Sequence, residues 1–212
     1  MAKTSMVITI GRQYGSGGRE IGRRLASRLE IPYYDKEILS EASKESGICE
    51  ELFEDHDEKP TRSFLYSLVT GVQTHGNPST MYMDMPLNHR IFLAQFDTIR
   101  RLAGQGPCVV VGRCADYVLR DDKNVINIFL KADMEHRVER AIERGAEPAR
   151  AQDIVKRHDK ERAAYYNYYA TTTWGDVNNY DLCLDTGRIG YDGAVDMICA
   201  YVQLRERLLG GK

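Results

Sequence analysis

Short β-branched runs alternate with longer stretches of helical spacing along the chain. Val7, Ile8, Thr9 and Ile10 form a buried-strand pattern that Gly11 ends. A glycine-rich turn, 11–18, leads into a helical pattern with Ile21, Leu25 and Leu29 on one face and Arg23, Arg24 and Arg28 elsewhere. Residues 31–35 read as a second strand, and 36–46 as a helix stopped by Gly47. From about 50 to 90 the pattern breaks: Pro60, Gly71, Gly76, Pro78 and Pro86 punctuate a stretch holding Met81, Tyr82, Met83 and Met85. Such a stretch predicts an insert or a mobile subdomain. Regularity returns with a helix over 91–103 and a strand over 108–111 ending at Gly112 and Arg113. A strand over 125–130 follows, then a helix capped by Asp133 with Val138 and Ile142 facing inward. A long charged and aromatic helix spans 147–169, the last strand 180–184, and the C-terminal helix carries Val195, Ile198, Val202 and Leu209.

This β-α alternation predicts a parallel sheet covered on both faces. Right-handed crossovers make it a doubly wound, three-layer α/β fold of about five strands. The length of 212 residues fits one domain, with an insert at about 50–90 and a lid helix at about 147–170. Ligands of such sheets bind at the carboxyl ends of the strands.

Composition narrows the function more than the fold. A net charge of −2 argues against a general nucleic-acid or membrane-surface binder. No apolar run approaches the roughly 20 residues of a membrane span, and the residues before Val7 are too few and too polar for a signal peptide. A cytoplasmic location is the default expectation. The five cysteines contain no CxxC pair. Cys108, Cys183 and Cys199 lie within apolar runs and read as reduced core residues. The histidines lack metal-ligand spacing, so no metal ligand is assigned.

The glycine turn carries the clearest chemistry. Phosphates need inward backbone N–H groups with no side chains in the way, beside a helix N-terminus. Gly15, Ser16, Gly17, Gly18, Arg19 and Glu20 meet that need between a buried strand and an amphipathic helix. The P-loop pattern GxxxxGK[ST] is not met. With Gly17 as its second glycine, Gly18 occupies the lysine position and Arg12 that of the first glycine. With Gly18 as the second glycine, Arg19 replaces the lysine and Glu20 the hydroxyl residue. Either way Arg19 is the nearby cation at the helix start. Loss of one electrostatic donor at a transition state costs roughly 3–4 kcal/mol, so Arg19 compensates, another arginine reaches in, or catalysis is weak.

The blocks ITIGRQYGSGGREIGRRLA, IPYYDKEIL, VVVGRCADYVLR, KRHDKERAAYYNYY and TWGDVNNYDLCLDTG, in that order, resemble the cytidylate kinase-like family, a branch of the P-loop nucleoside monophosphate kinases. The resemblance implies ATP as donor, Mg²⁺ as cofactor, a nucleoside monophosphate (CMP or dCMP) as acceptor, and a lid that closes over the donor. It implies that Arg113 and Asp116 face the acceptor. Arg113 would grip its phosphate, and Asp116 would touch base or sugar. Asp35 either orients the acceptor or a metal-bound water, or caps the helix that begins at Lys36. One of Arg90, Arg100 and Arg101 reaches the acceptor phosphate. In the run 157–162 the resemblance gives Arg157 and Arg162 the lid role of stabilising charge on the transferring group. Salt bridges on a solvated helix face are the plainer reading of that run. Thr186, Gly187 and Arg188 would border the adenine. Two rival functions stay open: a nucleotide-binding sensor without turnover, and a kinase of another small molecule.

Overall fold

The computed structural model describes residues 4–58 and 86–210. The central part of the expected insert, 59–85 with its Pro, Gly and Met residues, lies outside the described residues. In chain order the elements are β1 (Val7–Arg12), α1 (Gly18–Leu29), β2 (Tyr33–Tyr34), α2 (Glu37–Ser46), α3 (Glu50–His56) and α4 (Leu87–Gly104), followed by β3 (Val109–Val111), α5 (Ala115–Val118), β4 (Val125–Lys131), α6 (Met134–Glu143), α7 (Ala151–Tyr169), β5 (Leu182–Asp185) and α8 (Thr186–Gly210). All five strands are parallel, in the order β2-β3-β1-β4-β5. β1 is therefore the central strand, and the glycine turn leaves its carboxyl end.

The two-residue period of the strands sorts their side chains between two cores. Ile8 and Ile10 of β1, Val109 and Val111 of β3, and Ile126, Ile128 and Leu130 of β4 face α1 and α8. Val7, Val110 and Val125 face the other way, against Ile38 of α2 and Ile99 and Leu102 of α4. Burial on both sheet faces is why these strands read as continuous apolar runs.

Several boundaries differ from the sequence reading, each for a physical reason. The second strand keeps only Tyr33 and Tyr34 of the expected five residues, because it pairs with β3 alone at the sheet edge. The long helix begins at Ala151, after a 3₁₀ turn over Pro148–Arg150. Asp133 caps α6 as expected, accepting the His136 N–H at 2.9 Å. Ile142 is exposed, however, and Ala141 takes the inward position beside Ala151 and Val155. Cys183 is likewise exposed on the edge strand β5, whereas Cys108, Cys114 and Cys199 are buried; all five thiols are free. The C-terminal helix is broken at Gly190, whose φ is 67°.

Ile128 lies fully buried on β4, next to the central strand. Ile128→Ala removes a core side chain from the cluster that β1 and β4 form with α1 and α8. It is expected to cost about 2–5 kcal/mol of unfolding free energy, read as a lowered urea midpoint with an unchanged slope.

Candidate active site

The structure resolves the register of the glycine turn. β1 ends at Arg12, Gly17 caps α1, and Gly18 opens it. The four residues between, 13–16, match the four free positions of the P-loop pattern. Gly17 is thus the second glycine, Gly18 holds the lysine position, and Arg12 holds that of the first glycine. Gly15 and Gly17 both have φ of 82°. A Cβ at Gly15 would lie 2.7 Å from the Arg137 carbonyl oxygen, so that position has no room for a side chain.

Three elements hold the loop. The Gln13 N–H donates to the Leu130 carbonyl at the end of β4 (2.9 Å). The Tyr14 N–H donates to Asp159 Oδ1 of α7 at 2.7 Å, and Asp159 Oδ2 pairs with Arg137 of α6. The Thr186 hydroxyl lies 2.9 Å from the Ser16 carbonyl oxygen and 3.1 Å from that of Lys131, tying the loop to the start of α8. Among the described residues nothing accepts from the backbone N–H groups of Gly15, Gly17, Gly18 or Arg19. They sit at the positive end of a 12-residue helix, the arrangement that holds an anion.

Over the loop opens a cleft of about 550 Å³, whose walls include Arg12, Arg19, Lys36, Asp57, Glu58 and Arg162. A buried charge cluster forms its floor. Arg12 grips Glu58 with both terminal nitrogens, at 2.6 and 2.8 Å. The Arg113 N–H donates to Glu58 Oε1 at 2.8 Å, and Arg162 Nε lies 3.4 Å from Oε2. Burial raises the Glu58 carboxyl, but the fields of Arg12 and Arg162 outweigh it and hold the group well below the usual carboxylate range. Burial and the like charge of Arg12 bring the Arg162 guanidinium down to about 10. One carboxylate therefore serves two cations. Burial raises Asp57, with Arg113 pulling against it, and Asp57 Oδ1 is buried without a partner among the described residues.

The expected site residues are distributed as follows. Gly15, Gly17, Gly18, Arg19 and Glu20 border the cleft; Ser16 is buried beneath, its hydroxyl donating to the Gln13 carbonyl. Arg19 is 43% exposed and binds Asp35 Oδ2 through Nε at 2.7 Å. Asp35 does not cap α2: the capping position is Lys36, and both Asp35 oxygens go to arginines. Arg113, 1% exposed, spends its fork on Asp35 (3.3 Å) and Asp57 (2.8 Å), not on Asp116. Asp116 accepts from the Tyr166 hydroxyl at 2.7 Å, and burial raises its carboxyl. Arg113 and Asp116 meet Arg12, Glu58 and Arg162 around a small second recess. Arg162 turns inward and donates to the Arg12 carbonyl at 3.3 Å. Arg157 is 60% exposed, near Glu161, and does not reach the cleft. Thr186 serves the loop from behind, Gly187 packs near the His136 ring, and Arg188 is exposed beside Asp185. Arg101 pairs with Glu45 and Arg100 lies over Phe96, so neither enters the cleft.

Sequence reasoning gave no site role to Arg12, Asp57, Glu58 or Asp159. Asp159 had a signal: three residues from Arg162, it shares a helix face with it. Glu58 had none, since it follows α3 in an irregular stretch with a φ of 51°.

A glycine loop after the central strand of a parallel five-stranded sheet defines an α/β P-loop kinase fold. The chain belongs to the cytidylate kinase-like family, whose match spans residues 7–188. It is 27% identical over 212 residues to a cytidylate kinase of Methanopyrus kandleri, covering 95% of each chain. An uncharacterized protein from Eubacterium ventriosum is 30% identical, with a TM-score of 0.69 over 93% of this chain and 98% of that one. A shikimate kinase from Bacteroides thetaiotaomicron shares the fold alone, at 14% identity and a TM-score of 0.51 over 97% and 98% of the two chains. No helix among the described residues is long and apolar enough to cross a membrane.

His158 of α7 stacks on Tyr14 of the loop, ring centroids 4.3 Å apart, and burial lowers its pKa. Below the ordinary histidine value of about 6.5 the unfolded chain then binds more protons at this site than the folded one. Stability from the neutral ring is present above that pH and lost as pH falls through it. Between pH 7.5 and 5.5, wild-type Tm is expected to fall more than that of His158→Phe, which keeps the stack. Parallel pH profiles would contradict this.

Proposed function

We propose that the protein transfers the γ-phosphoryl group of ATP to a nucleoside monophosphate, with CMP or dCMP as acceptor, in the cytoplasm. The observation that carries this reading is the row of unpartnered backbone N–H groups at Gly15, Gly17, Gly18 and Arg19, facing a cleft rimmed by arginines. Family membership and the named relative support it.

Phosphoryl transfer asks little covalent chemistry of a protein and much positioning and charge stabilisation. In this reading the loop from Gly15 to Glu20 cradles the donor phosphates, and Arg19 meets them from the first turn of α1. Arg162, held inward by Arg12 and Glu58, reaches over the transferring group from α7. Arg113, Asp35 and Asp116 form the acceptor wall; Gly187 and Arg188 border the adenine side. The fork of Arg113 is already occupied, so acceptor binding requires Asp57 or Asp35 to give way to phosphate.

Mg²⁺ fits the residues present. A phosphate-bound Mg²⁺ takes only one or two protein carboxylates and fills its remaining positions with phosphate oxygens and water. Asp57 borders the cleft with one oxygen unpartnered, and it would hold the ion. Arg19 follows Gly18, so the loop itself offers no hydroxyl ligand there. The ion would supply charge neutralisation between donor phosphates.

The test is a screen of nucleoside and deoxynucleoside monophosphates with ATP and Mg²⁺, following ADP release. CMP and dCMP are expected to lead. Release no faster than ATP hydrolysis alone, with every monophosphate, would leave the sensor reading in its place. With the acceptor in hand, Arg162→Ala is expected to lower kcat by roughly 10²–10³, the scale for losing one transition-state donor. A kcat within about twofold of wild type, well under the 1.4 kcal/mol of a tenfold change, would remove Arg162 from the mechanism.

A further inference from the structure

The side chains of positions 12 and 18 contend for one space. Arg12 leaves the end of β1 and runs against Gly18, where a Cβ would lie 2.8 Å from Arg12 Cγ and 3.0 Å from its Cβ. Glycine at 18 is what admits the arginine. In the loop register found above, position 18 is where the P-loop pattern has lysine and position 12 where it has glycine. This chain has the two exchanged: a cation at the end of the strand and glycine at the start of the helix.

The far end of Arg12 is presented as a fork. Both terminal nitrogens hold the two oxygens of Glu58, with Arg162 and the Arg113 N–H closing around the same carboxylate. A two-oxygen anion between two guanidinium groups and a backbone N–H has the surroundings of a bound phosphoryl group. Arg12 is rooted in the central strand. Glu58 follows α3 and among the described residues pairs with no strand, so the carboxylate can leave while the arginine stays.

We propose that Arg12 is a catalytic residue that replaces the P-loop lysine: Gly18 makes room for it, its fork takes donor phosphate oxygens, and Glu58 occupies that position until nucleotide displaces it. The inference rests on the phosphoryl-transfer reading. It separates Arg12 from Arg19, which is nearly half exposed and held by Asp35. A guanidinium in a dry site acts on phosphate charge more strongly than one in water.

The experiment compares ATP binding by calorimetry, and kcat with the acceptor from the screen. Because removing Arg12 alone strands a buried carboxylate, the deletion is made as Arg12→Leu with Glu58→Gln, and a thermal melt verifies folding. Glu58→Gln alone is expected to tighten ATP binding several-fold by freeing the fork. The double variant is expected to bind ATP at least tenfold more weakly than Glu58→Gln and to lose roughly 10²–10³ in kcat. The exchange Arg12→Gly with Gly18→Lys, also on the Glu58→Gln background, is expected to regain at least tenfold over the deletion. Deletion within twofold of Glu58→Gln in both measurements, or an exchange no better than the deletion, overturns the role of Arg12 and leaves the kinase reading standing. Absence of ATP binding by the wild-type protein overturns both.

Discussion

The arrangement at the carboxyl end of the sheet depends on burying like charges together. Arg12, Arg113 and Arg162 converge there with little exposure. Three arginines in so dry a place are costly unless anions meet them, and Asp35, Asp57 and Glu58 do so. Six charges from β1, the end of β3, α7 and the segments around α2 and α3 are thus joined in one network. Its members come from far apart in sequence, so the network closes only when the fold does.

The glycine loop takes its shape from the same economy of contacts. Thr186 donates to the Ser16 carbonyl, the Ser16 hydroxyl donates to the Gln13 carbonyl, and the Tyr14 N–H donates to Asp159, while among the described residues the N–H groups at the helix start have no acceptor. Asp159 and Arg162 lie on one face of α7, so that helix both braces the loop and contributes a cation to the cleft. Any movement of α7 moves brace and cation together. In the proposed reading, this couples nucleotide arrival to closure.

The parallel sheet of about five strands, the two-sided core and the loop were legible because they rest on local patterns: apolar runs, helical spacing, and four glycines around a turn. Asp133 as a cap belongs to the same class. What local pattern does not carry is which charged residue meets which. The sequence reading gave Arg19 the lysine's work because Arg19 follows the glycines. Arg12 stood in the glycine turn at the position of the pattern's first glycine, and nothing local gave it a partner. Its inward turn depends on the missing side chain at Gly18 and on Glu58, which lies 46 residues away. Arg157 and Arg162 looked alike in a charged run, yet helix phase sends one to solvent and the other to the loop.

The central claim is that phosphate takes the place of Glu58 among these arginines. A crystal structure with a non-hydrolysable ATP analogue and Mg²⁺ tests it most directly. The account predicts donor phosphate oxygens within hydrogen-bond distance of the N–H groups from Gly15 to Arg19. It predicts that the Arg12 fork leaves Glu58 for those oxygens. Nucleotide bound with the Arg12–Glu58 pair still intact, or bound away from the loop, would contradict it.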